Sequence, residues 1–120
     1  GAGCEVQTDQ QFRRFSSLTA AANGYLSWMA NNVKQEQARQ WWTTDPGRWL
    51  LYAWGARTYA TANSYAATVV DASRKLAVSL NDASVAIPWS PWHADVARQI
   101  GAQPAGSKRR AVTLQLLGLA

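Results

Sequence analysis

Few side chains in this sequence are equipped for catalysis. His93 is the single histidine, Cys4 the single cysteine, and the seven carboxylates are spread along the chain. A zinc site requires three or four Cys, His or carboxylate ligands in clustered spacing. No such cluster occurs, so neither a metal nor a cofactor is expected. A nucleophilic triad needs an imidazole as base, and only His93 offers one. It follows Trp92 and precedes Asp95 by two residues, with no nucleophile read near it, so it is expected to pack or face solvent. Phosphate-cradling glycine loops follow a strand and lead into Lys and Ser or Thr; Gly101 and Gly106 have neither. Carboxylates far apart in sequence can still meet, which keeps a small acid–base enzyme as the third of three readings.

Binding chemistry is better represented. Trp41, Trp42, Trp49, Tyr52 and Trp54 crowd one stretch among Arg39, Arg48 and Arg57. Tryptophan and arginine dominate binding hot spots, and the same pair stacks on nucleic-acid bases. The competing role is internal, with indole rings locking helix ends and guanidinium groups lying over them. Neighbouring helical residues such as Trp41 and Trp42 point about 100° apart, so the two cannot both face one partner helix. With Tyr65, these five aromatics are the expected protein interface.

Lys108, Arg109 and Arg110 form the one basic run of a chain with net charge +5 and pI ≈ 9.9. A net charge of this size is ordinary for solubility. Cations at a helix start oppose the helix dipole, however, and an anion would relieve that. This run is therefore the expected nucleic-acid contact. Val96-Ala97 and Ile100-Gly101 match the first half of a helix-turn-helix, although Ala102 to Gly106 makes a longer turn than the usual three or four residues.

These groups must be carried by helices. Thr8 to Gln11 reads as a capping box, followed by Phe15, Leu18, Ala22, Tyr25 and Met29 at alternating spacings of three and four. Asn23-Gly24 interrupts the stripe. Asp45-Pro46 is a strong start signal, an acceptor followed by a proline whose missing N–H costs nothing at the first helical position. Thr43 to Asp45 is accordingly expected to be a tight turn. Trp49, Tyr52, Ala56, Tyr59, Asn63, Ala66, Val70, Ser73, Ala77 and Leu80 form a second stripe, and Asn81-Asp82 suits its end. The expectation is an all-α fold with a long antiparallel hairpin, helices over about 9–43 and 46–80. Two short helices follow, over about 91–101, opened by Ser90-Pro91, and about 107–118, capped by Ser107. Residues 1–7 are expected to be a flexible N-terminus, and the whole to be one domain.

The alanine-rich second arm is apolar on more than one side, so either the segment 82–120 or another subunit must cover it. A hydrophobic fraction of 48% with seven Trp excludes a disordered chain. The longest apolar run, Trp49 to Ala56, is far short of the about 20 residues that span a bilayer, so no transmembrane segment is expected. A lone cysteine permits no internal disulfide and fits the cytoplasm or the interior of a viral particle. The preferred reading is a non-enzymatic structural or interaction protein that self-assembles or docks into a larger complex, such as a virion or secretion-apparatus component. A DNA-binding helix-turn-helix is the alternative.

Overall fold

A computed structural model of the chain describes residues 36–57 and 61–119. The described residues are all-α: α1 (Glu36–Thr44), α2 (Pro46–Gly55), α3 (Tyr65–Leu80), α4 (Pro91–Gly101) and α5 (Ser107–Leu116), with a 3₁₀ turn at Ala83–Val85. The expected capping box at Thr8, the stripe from Phe15 to Met29, the flexible N-terminus and Cys4 lie outside the described residues.

The junction of α1 and α2 is a single residue. The turn expected over Thr43–Asp45 shrinks to Asp45, because the Thr43 and Thr44 hydroxyls donate to Gln40 O (3.3 and 2.9 Å) and the helix runs through both. Asp45 then takes an extended φ of −155°, and its carboxylate accepts from the Arg48 N–H at 3.2 Å. With Pro46 at the first helical position, α2 begins where the sequence places it.

The second arm is not one helix over 46–80. It stops at Gly55 and resumes at Tyr65. Tertiary hydrogen bonds hold residues 61–63 out of the helix. Trp54 Nε1 donates to Ala62 O at 3.0 Å, while Arg109 donates to Thr61 O (3.1 Å) and Asn63 Oδ1 (2.8 Å). Carbonyls committed to side-chain donors are lost to the helical ladder, and the run Thr61, Asn63, Ser64 has weak helix propensity to oppose this.

With the arm broken, α2 becomes the central helix. Gly47 and every residue from Trp49 to Gly55 are buried, and α1, α3, α4 and α5 all pack on it. The C-terminal segment thus supplies the second cover that the apolar sequence of α2 demands. Gly55 is required for this approach: a Cβ there would collide with the Thr113 side chain of α5.

α3 ends on Asn81 in the left-handed region (φ 51°), where Asp82 N–H donates back to Ala77 O at 2.9 Å. Asp82 next caps the 3₁₀ turn. Ile87 N–H donates to the buried Ser73 hydroxyl at 3.0 Å, which tethers the extended stretch leading to α4. The expected cap Ser107 is instead the first residue of α5. Gly106, at φ 126°, occupies the cap position and makes no side-chain bond there. α5 itself ends at Leu116, two residues short of expectation, with Gly118 at φ 77°.

Candidate functional site

The expected aromatic interface divides between core and surface. Trp41, Trp49, Tyr52 and Trp54 are buried within the chain, whereas Trp42 and Tyr65 are half-buried against the same core. Tyr52 meets the edge of Trp41 (6.3 Å between centroids) and tilts against Trp49 (5.4 Å), so the rings mainly lock α1 onto α2. Trp42 and Trp41 diverge as their adjacency requires.

The same junction builds a polar chain that sequence reasoning missed. His93 Nε2 lies 2.8 Å from Asp45 Oδ1, and Ser90 Oγ lies 2.8 Å from His93 Nδ1. Ser90, three residues before the imidazole, reads in the sequence only as a helix cap. It is also that, since its Oγ accepts the His93 N–H at 3.3 Å in a capping box. The signal that could have found it is the position of His93 itself, at the third helical residue, where a side chain reaches back to the cap.

Serine, histidine and aspartate in one hydrogen-bonded chain is the composition of a nucleophilic triad. The bonding here directs the group elsewhere. Nδ1 also accepts the Ser90 backbone N–H at 3.0 Å, an obligate donor that fixes the lone pair on Nδ1 and the proton on Nε2. The serine hydroxyl therefore competes with its own amide for one lone pair. Trp89 stacks on the imidazole at 5.1 Å and Trp92 meets it edge-on at 5.2 Å, leaving the ring buried. Neither of the two described concavities is lined by Ser90, His93 or Asp45.

Asp45 also anchors Arg48, whose Nε lies 3.5 Å from Oδ2. The guanidinium lies between the rings of Trp41 (5.1 Å) and Trp92 (4.6 Å), making an aromatic–cation–aromatic stack across the α1–α2 and α4 surfaces. The expected role of these arginines over tryptophan faces is thus filled by Arg48, with Asp45 setting its position.

The basic run splits by direction. Arg109 is 1% exposed and donates to Gln103 O from both Nε (3.1 Å) and Nη2 (2.8 Å), as well as to Thr61 and Asn63. Its guanidinium lies 5.3 Å from the Trp54 ring. Of the three expected nucleic-acid contacts, Arg109 therefore faces inward, as a clamp between the 61–63 and 103 loops. Lys108 and Arg110 are exposed, and Arg110 Nη1 also donates to Ala56 O at the end of α2 (2.7 Å).

Among the described residues no group of three or more His, Cys, Asp or Glu is placed to hold a metal, and no helix is long and apolar enough to cross a membrane. No protein family, curated protein or solved structure matches this chain.

Proposed function

We infer that the protein is a non-enzymatic interaction module that self-assembles or docks into a larger complex through the far end of α3. The observation that carries this is the exposure of Leu80 (58%) in the last turn of that helix; Val78 (82%), two residues before it and so about 200° round the helix, is exposed on the other face. Leu80 extends the inward stripe of Val69, Ser73 and Leu76 beyond the part of α3 that its neighbours cover. The reading rests on α3 in place of the Trp-rich junction, because most of those rings already spend their area inside the chain.

Light scattering coupled to size-exclusion chromatography tests it. A defined multiple of the 13.1 kDa chain mass, reduced to monomer by Val78→Glu with Leu80→Glu, is the expected result. A monomer at high concentration, with no change in mass on those substitutions, would remove self-assembly. A second reading, nucleic-acid binding through α4 and α5, is favoured by one feature: α5 carries Lys108 and Arg110 outward and no carboxylate at all. Binding that weakens steeply with salt and is lost in Lys108→Ala with Arg110→Ala is its test.

A further inference from the structure

Between the first turns of α3 and the body of α4 lies a hollow of about 270 Å³. It exists because the facing residues are small. Ala67 of α3 and Ala94 and Ala97 of α4 stand where larger side chains would fill the space, and the indoles of Trp54 and Trp89 wall it. Ala67 lies near the start of α3 and Leu80 closes that helix, so about 20 Å of helix separates the hollow from the exposed end. An apolar, aromatic lining with a few polar groups at the margin, set between helices, is the usual make-up of a small-molecule site. Its volume falls just under the range of about 300–1,000 Å³ typical of drug-sized ligands, so the occupant is one or two fused rings.

Both indole walls are fixed by contacts elsewhere in the fold. Trp54 Nε1 donates to Ala62 O at 3.0 Å, and the Arg109 guanidinium lies 5.3 Å from the same ring. Trp89 stacks on His93, with 5.1 Å between centroids and 22° between planes, and His93 is in turn held by Asp45. Walls placed before a ligand arrives lose little freedom when it binds. Indoles gain from the face and edge of another aromatic ring beyond what buried area alone supplies. Water in such a space finds few hydrogen-bond partners, so its displacement by a ring favours binding. The charge of the occupant follows from Arg98, the only ionisable residue of the lining. Its side chain is largely in solvent and its Nη2 already donates to Asp95 Oδ1 at 2.8 Å. An ionised ligand would give up hydration here with no unpaired counter-charge in return, which selects a neutral one.

We propose that this hollow binds a small, neutral, planar aromatic molecule, its ring lying between Trp54 and Trp89 over the alanines of α3 and α4. The probe is 2-naphthol, added to the intact chain and followed by ¹⁵N–¹H correlation spectra. The Trp54 and Trp89 Nε1 signals and the Ala94 amide should move together and saturate, while the Trp41 and Trp49 Nε1 signals stay in place. A Kd between about 10 µM and 1 mM is expected for a ligand of this size. The saturated alcohol decahydro-2-naphthol should bind about threefold to tenfold more weakly, because it lacks the ring–ring contacts. The anion 2-naphthoate should also bind more weakly than 2-naphthol. Ala94→Leu and Ala67→Leu fill the hollow from opposite sides, and each should abolish binding. Ala67 is exposed in the first turn of α3, so the Ala67→Leu chain folds and its loss of binding reports on the hollow itself. Shifts that never saturate, or binding that persists in both variants, would overturn the site. Equal affinity for the saturated alcohol would overturn the aromatic assignment, and tighter binding of 2-naphthoate would overturn the neutral one.

Discussion

His93 and Asp45, separated by 48 positions in the chain, are joined by a 2.8 Å hydrogen bond that fastens the start of α4 to the junction of α1 and α2. Asp45 thereby performs three tasks with one carboxylate. It caps α2 through the Arg48 N–H, accepts a hydrogen bond from the imidazole Nε2–H, and places the Arg48 guanidinium between two indoles.

Removing that carboxylate should therefore cost more than a lost cap. Asp45→Ala forfeits the cap, worth about 0.5–2 kcal/mol, and leaves a buried imidazole N–H unpaired, about 1–3 kcal/mol. A combined loss of about 2–4 kcal/mol in urea unfolding is expected. In a double-mutant cycle with His93→Ala the two losses should be sub-additive by about 1 kcal/mol. Strict additivity would mean the bond contributes nothing to the fold.

Arg109 should behave as a structural residue. Arg109→Lys keeps the charge but cannot fork to Thr61, Asn63 and Gln103 together, so a loss of at least about 2 kcal/mol is expected. Lys108→Ala, on the exposed side of the same turn, should stay within about 0.5 kcal/mol of the parent. Comparable small effects at both positions would show that the inward clamp is not made in solution.

Gly55→Ala tests the approach of α5 to the central helix. The added methyl meets the Thr113 side chain, and overpacking of this kind costs about 1–3 kcal/mol. Shortening the opposing side chain in Gly55→Ala with Thr113→Ala should recover part of that loss, read as a rise in Tm relative to the single variant.

Asp82 gives a pH dependence with a definite sign. The Ser84 hydroxyl and N–H, both donating to its carboxylate, hold its pKa below the ordinary 3.8. A carboxyl with a depressed folded-state pKa adds stability that is present above the unfolded value and lost as pH falls through the folded one. Stability below about pH 4 should fall with a shallower slope in Asp82→Asn than in the parent, measured by urea midpoints across that range. Identical slopes would mean that the Ser84 contacts do not persist in solution.

The sequence announces helix ends well where a single residue decides them. Asp45-Pro46, Ser90-Pro91 and Asn81 each carry a local backbone or capping reason, and each stands where expected. The break after Gly55 is different in kind. The stripe through Ala56, Asn63 and Ala66 is compatible with one unbroken helix, and what interrupts it is a guanidinium 46 to 48 residues further along. The direction of Arg109 was hidden for the same reason, since periodicity in a basic turn does not reveal which cation finds carbonyls to clamp. Likewise Ser90, His93 and Asp45 are legible singly, as cap, packing residue and cap, but their union depends on how α4 lands on the α1–α2 junction.

The central position of α2 has a consequence for the order of events during synthesis. Trp54 and Gly55 emerge early, but the groups that close over them, Arg109 and Thr113, come more than fifty residues later. Until α5 has cleared the ribosome, the helix at the middle of the fold has no roof, and its most apolar surface faces the cell. α5 therefore acts as a keystone: chains stalled before it has emerged should be recognised by holding chaperones, and those in which it is free of the ribosome should let them go.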